Sequence, residues 1–131
     1  MATIKAHTDL NQSRTLAEFL PHTTADQTWE RIAIAGANLD VPEELQYRHK
    51  GDMPFKIYSG VGVPCWSLAA LLSVMPIIDD EFEPQLHRSL NKYRCTYEGK
   101  KDTCSGLWKI ADNPVDACYK MIIKLHELNI L

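Results

Sequence analysis

LHRSLNKYRCTYEGKKDTCSGLWKIADNPVDACYKMIIKLHELNIL, Leu86 to Leu131, decides the fold. Its first half alternates and its second half has helical spacing. Tyr93, Cys95 and Tyr97 alternate with Arg94 and Thr96, the period-two pattern of a half-buried strand. Gly99-Lys100 puts glycine at the first central position, as a type II′ hairpin turn requires. The hairpin so formed sets Glu98 opposite Lys101, Thr96 opposite Thr103 and Cys95 opposite Cys104. Opposite charges and paired threonines are favourable across strands. Leu86 to Leu90 adds a third strand, so an antiparallel meander or hairpin is expected over about 86–110.

The same stretch then changes period. Asn113 is a good helix N-cap, Pro114 suits the first helical position, and Asp116 sits where the N-terminal dipole favours an acid. Cys118, Met121, Ile122 and Leu125 follow at i, i+3, i+4 and i+7, with Leu128 continuing the stripe. Asn129 can end the helix in the left-handed conformation. A helix over about 114–128 is expected to lay this stripe on the sheet just before it.

Upstream, VPCWSLAALLSVMP (Val63 to Pro76) is apolar nearly all round. That pattern marks a buried helix, expected over about 65–75 and carrying Trp66. A first helix is expected over about Arg14 to Leu20, with Ser13 as N-cap and Leu16, Phe19 and Leu20 on its apolar face. TTADQTWERIAIAGANLD (Thr23 to Asp40) reads two ways. Thr24 and Gln27 form a capping-box pattern and Trp29, Ile32 and Ala33 have helical spacing, yet RIAIA also alternates like a strand. The helix is the favoured expectation. Residues 36–63, rich in Gly and Pro, read as irregular, with one short strand at Phe55 to Ser59. The fold class expected is α+β. A single small domain spans 1–131, with a helical N-terminal part at about 13–36 and an α+β core at 64–131.

The totals exclude little but bound much. A chain of 131 residues with 45% hydrophobic and 24% charged content is an ordinary globular composition. At this size a core forms without a metal or disulfide staple. The formal net charge of −3 lacks the basic excess of a dedicated duplex-DNA binder. No apolar run reaches the roughly 18 residues of a membrane helix, and MATIKAHTDLNQSR has no signal-like apolar core. These features lead to an expectation of a cytoplasmic protein, with Cys65, Cys95, Cys104 and Cys118 as free thiols.

PCWSLAALL (Pro64 to Leu72) and ADNPVDACYKMIIKLHELNIL (Ala111 to Leu131) resemble segments of small uncharacterised proteins of bacteriophages and prophages. In that group a P-x-W-S-x-x-x-L helix precedes a few strands and a final D-N-P-x-D-A helix. LPHTTAD (Leu20 to Asp26) touches the same likeness. The resemblance implies a genome context in a bacterial host. It implies no activity, cofactor or catalytic residue.

Candidate chemistry is sparse. Cys118 lies near a helix N-terminus, which lowers thiol pKa values only within the first turn. It also begins the apolar stripe, so a core role is expected. Cys95 and Cys104 are expected as neighbouring thiols on one sheet face. Their spacing with His87 or His126 offers no zinc pattern, and no metal or cofactor is expected. His7, His22 and His49 are scattered. GKKDT (Gly99 to Thr103) lacks the context of a phosphate loop, and the acids of DDEFE (Asp79 to Glu83) read as a solvated loop.

The strongest polar feature is a basic run. Arg88, Lys92, Arg94, Lys100, Lys101 and Lys109 are interleaved with Tyr93, Tyr97 and Trp108. Such a hairpin can follow phosphates and stack bases. Exposed lysines also keep sheet edges from pairing, and that reading is favoured. The function expected is that of a non-enzymatic phage or prophage accessory protein acting through an unknown protein partner or self-association. The alternative is a nucleic-acid-binding module using the basic hairpin.

Overall fold

A computed structural model describes residues 5–32, 47–49, 58–99 and 103–131, without the side chains of 58–61 and 103–105. In chain order the elements are α1 (Leu10–Ala17), β1 (Gln27–Ile32), β2 (Tyr47–His49), β3 (Tyr58–Cys65), α2 (Leu68–Val74), β4 (Glu83–Ser89), β5 (Lys92–Glu98), β6 (Thr103–Ala111) and α3 (Pro114–Glu127). The fold is α+β, with two three-stranded antiparallel sheets ordered β2-β1-β3 and β4-β5-β6. The described chain divides into two compact units. One holds the residues up to Thr8 with Ser67–Leu131; the other is Asp9–Trp66.

In the first unit the meander forms as the alternation implies. Leu86 lies opposite Cys95, and Cys95 opposite Lys109. Directly opposed residues share a face, so one face carries Leu86, Cys95 and Tyr97 and receives α3, which packs on β5 and β6. Cys95, Tyr97, Val115, Cys118, Met121, Ile122 and Leu125 are fully buried. Each of the larger apolar side chains contributes about 1.5–3 kcal/mol by leaving water. α2 packs against α3 with Leu71 fully buried, and just beyond it the Tyr97 hydroxyl donates to the Pro76 carbonyl at 2.9 Å.

The β5–β6 register differs from the expected one. Cys95 faces Lys109 rather than Cys104, Thr96 faces Trp108, and Glu98 faces Thr103. A two-residue turn would carry Trp108–Ala111 past the start of β5 and leave that backbone unpaired. The observed register pairs β6 through Ala111, opposite Tyr93, and leads straight into the α3 cap. The surplus residues of β6 are taken up by a bulge between Thr96 and Glu98, where Gly106 has φ +81°. That conformation is open to glycine at no steric cost. Lys100 and Lys101 lie outside the described residues, as does the side chain of Cys104.

α3 begins where its cap signals place it. The Asn113 side chain accepts from the Asp116 N–H and donates to the Asp116 carboxylate, both at 2.8 Å. Lys5 Nζ reaches the other Asp116 oxygen at 2.8 Å. Asn129 has φ 58°, as expected of a left-handed stop. Leu128 leaves the stripe: it is exposed, because the helix has ended one residue before it.

α2 is shorter than expected. Ser67 caps it, its Oγ accepting from the Ala70 N–H at 3.2 Å. Trp66 therefore precedes the helix rather than lying on it.

The second unit holds the other departures. α1 starts at Leu10 because Asp9 and Gln12 form a capping box, each side chain bonding the other's backbone N–H. Ser13, the expected cap, is buried inside the first turns. The stretch expected as a helix from Thr24 is the strand β1. Thr24 is not free to cap: its hydroxyl donates to Pro21 O at 2.6 Å and accepts from Trp66 Nε1 at 2.9 Å. Thr28, Trp29 and Ile32 suit a strand, and β2 and β3 supply partners on both sides. β3 runs to Cys65 through residues read as irregular. Its Gly62 is needed for close approach, since a Cβ there would lie 3.1 Å from Thr28 Cγ2.

The β4–β5 turn contains a strained residue. Leu90 has φ 57° and is 91% exposed. The left-handed region costs a non-glycine residue roughly 1–2 kcal/mol, partly offset by the backbone entropy of glycine. Leu90→Gly is therefore expected to raise stability by about 1 kcal/mol in thermal unfolding. Asn113→Ala, which leaves the Asp116 N–H without its cap, is expected to lower it by about 1 kcal/mol in the same assay.

Candidate interaction surface

The two faces of the meander have different chemistry. Opposite the α3 side, the outer face aligns His87, Arg94 and Ile110 in one row and Gln85, Thr96 and Trp108 in the next. Trp108 is 50% exposed and Ile110 42%. The Arg94 guanidinium lies 5.5 Å from the Trp108 ring centre, within cation–π range. His87 Nε2 approaches Glu98 Oε1 at 3.3 Å, and the Thr96 hydroxyl donates to the same oxygen at 3.2 Å. The face is a half-exposed aromatic and aliphatic pair with a cation stacked on it, bordered by a polar row.

Among the described residues, the basic side chains expected as one patch are not brought together; Lys100 and Lys101 lie outside the described residues. Arg94 lies on the outer face, but Arg88 and Lys109 share the helix-bearing face with Tyr93 and Cys95. Arg88 sits 6.0 Å from the Tyr93 ring centre. Lys92 is paired with Asp112, whose carboxyl is held below its ordinary range by the hydrogen bond and charge of that ammonium. Strand alternation separates residues that the linear run places side by side. Of the expected residues that are described, Lys109 alone joins a new cation cluster. Beside it, Lys120 and Lys124 of α3 flank a groove of about 240 Å³ that also meets Tyr119, Ile123 and Glu127. The i, i+4 lysines of α3 were visible in the chain; that they meet Lys109 depended on the register of β6.

The second unit carries a concavity of about 300 Å³ at Asp9, Leu10, Asn11, Trp29, Tyr47 and Arg48. Asp9 there caps α1, and the Arg14 guanidinium lies 5.2 Å from the Tyr47 ring centre. Trp29 meets His49 edge-on, with ring centres 6.0 Å apart.

The described thiols, Cys65, Cys95 and Cys118, are fully buried. Cys118 donates a hydrogen bond to Cys95, and that bond, with burial, pushes the Cys118 thiol far above its ordinary range. Accepting the bond draws Cys95 down, against its own burial. Cys95 Sγ in turn lies 4.0 Å from Met75 Sδ. Cys65 is buried as a free thiol in the other unit. Among the described residues no three His, Cys, Asp or Glu side chains converge as metal ligands. The acids at Asp79 and Asp80 form a tight turn, with φ 53° and 55°, between the bridged residues Ile78 and Phe82. His126 Nδ1 contacts the Leu131 carbonyl at 3.0 Å, at the end of the chain. No helix among the described residues is long and apolar enough to cross a membrane.

Comparison with protein-family models, curated proteins and solved structures gives no match to this chain.

Both thiols of the Cys95–Cys118 pair are shut off from solvent, so Cys95 and Cys118 are expected to ignore an aromatic disulfide reagent until denaturant opens the core. Cys118→Ala is expected to cost about 1–2 kcal/mol in chemical denaturation through the small cavity left behind. Cys118→Asp, which buries a carboxylate against apolar neighbours, is expected to give an unfolded chain by circular dichroism.

Proposed function

We propose that the chain is a non-enzymatic accessory protein of a phage or prophage, acting in the cytoplasm of a bacterial host by binding a protein partner. The observation that carries this reading is the outer face of the meander. Tryptophan and arginine are the residue types that most often dominate protein interfaces, and here Arg94 is already stacked on a half-exposed Trp108 beside Ile110. The stacking restrains both side chains in advance, which lowers the ordering cost of association. The motif segments at Pro64–Leu72 and Ala111–Leu131 support the phage context.

Trp108→Ala and Arg94→Ala remove side chains that make no core contact on the helix face. Both variants are expected to keep the wild-type circular dichroism spectrum and unfolding midpoint. Cross-linking in infected cells, followed by affinity capture, is expected to recover one dominant protein with wild type and to lose it with Trp108→Ala. Light scattering over a concentration series identifies the case in which that protein is a second copy of the chain. A monomer that captures nothing sinks the reading. Salt-sensitive single-strand binding that requires Arg94 would move the face to nucleic acid.

A further inference from the structure

β6 is an edge strand of the β4-β5-β6 sheet among the described residues. An edge strand offers a row of backbone donors and acceptors to an incoming chain. One of these acceptors is engaged from the side: Lys120 Nζ donates to the Ile110 carbonyl at 3.1 Å. That bond brings the Lys120 ammonium from α3 to the backbone of β6.

The groove at that place is built from a strand edge and a helix flank. Lys109 comes from β6; Tyr119, Lys120, Ile123, Lys124 and Glu127 come from α3. The charges are three ammonium groups and one carboxylate. Neither Lys109 nor Lys124 has an ion-pair partner among the described residues. A groove between an edge strand and a helix accepts a peptide by strand addition, with affinity from the main chain and specificity from alternate side chains.

The sheet's own alternation then defines the ligand. In an added strand, side chains on the helix face fall among Lys109, Lys120 and Lys124. Their neighbours one residue away fall on the outer face, beside the half-exposed Trp108 and Ile110. Charge complementarity on one face and apolar contact on the other select an alternating sequence.

We propose that an extended segment of a partner protein, alternating acidic and apolar residues, adds as a strand to the β6 edge with its carboxylates in the Lys109–Lys120–Lys124 groove. Lys120 exchanges its bond to the Ile110 carbonyl for a ligand carboxylate, and the carbonyl accepts an N–H of the added strand. The inference rests on the reading of the chain as a protein-binding module and names the surface and the partner chemistry.

The test uses the full chain and two dye-labelled peptides, alternating Glu-Val and alternating Lys-Val, followed by fluorescence anisotropy. The Glu-Val peptide is expected to bind saturably, more weakly as salt rises, and the Lys-Val peptide not to bind. Paired Lys109→Glu and Lys124→Glu substitutions are expected to weaken Glu-Val binding by at least about tenfold and to admit the Lys-Val peptide. A Glu-Val peptide N-methylated on alternate amides is expected to lose binding, because it cannot join the ladder. This arm needs no variant and holds if the lysine substitutions perturb the fold. No saturable Glu-Val binding, or equal binding of the N-methylated peptide, overturns the proposal. A single-stranded oligonucleotide that binds with the same lysine dependence while the peptide is inert overturns it too. If the peptide fails but Trp108-dependent capture survives in the lysine variant, the groove proposal falls and the protein-binding reading stands. If wild type captures no protein at all, the reading itself falls.

Discussion

The docking of α3 on the meander is the contact on which the rest of this unit depends. Val115, Cys118, Met121, Ile122 and Leu125 are fully buried against β5, β6 and α2. Without this cover, a three-stranded sheet with Tyr97 and Cys95 on one face would present that face to water. The contact also decides which face is inner. Once Cys118 meets Cys95, alternation sends Arg94, Trp108 and Ile110 to the opposite side and Lys109 to the same side. Both candidate surfaces, the stacked outer face and the lysine groove, follow from that one choice.

The start of α3 fixes the geometry further. Ala111 is the last paired residue of β6, and Asn113 caps the helix, so little slack separates strand from helix. A connection this short places the first turn of α3 directly over the end of β6. That is why Lys120, two turns in, can reach back to the Ile110 carbonyl. The Lys5–Asp116 pair adds to the same corner, though a partly exposed ion pair contributes at most about 1 kcal/mol.

Helix α3 and the meander were legible in the chain because their signals are local. Asn113, Pro114 and Asp116 each act on backbone groups within one turn, and the stripe from Cys118 to Leu125 needs no partner to be recognised. β1 and β3 were not legible for the opposite reason. Thr24 and Gln27 make a plausible capping box, but Thr24 is claimed by Pro21 and by Trp66, a residue far along the chain. Gly60, Gly62 and Pro64 weaken the strand signal of β3, and Gly62 is justified only by the Thr28 side chain it lies against. The β5–β6 register failed on the same ground. Glu98 with Lys101 looks favourable locally, whereas pairing β6 as far as Ala111 satisfies more backbone and joins the sheet to the α3 cap. The candidate site inherits this limit. A run of cations in sequence names the residues, but face and register decide which of them meet, and two of the groove's three lysines lie on a helix outside that run.

The groove also bears on how an acidic protein can hold an acidic ligand. The chain's formal charge is −3, which at long range repels carboxylates. Screening shortens that range to about 8 Å at physiological ionic strength. Inside it the local balance governs, and at the β6 edge that balance is three lysines against Glu127. The net charge therefore acts mainly on encounter, and the local lysines set the selectivity of the β6 edge, which carries no further strand among the described residues. Lysines beside an edge strand repel basic chains and a second copy's identical edge. They admit a chain whose alternate side chains neutralise them. On the proposed strand addition, one set of residues serves both against unwanted pairing and for a particular partner, with Glu127 the one carboxylate in the lining to oppose them.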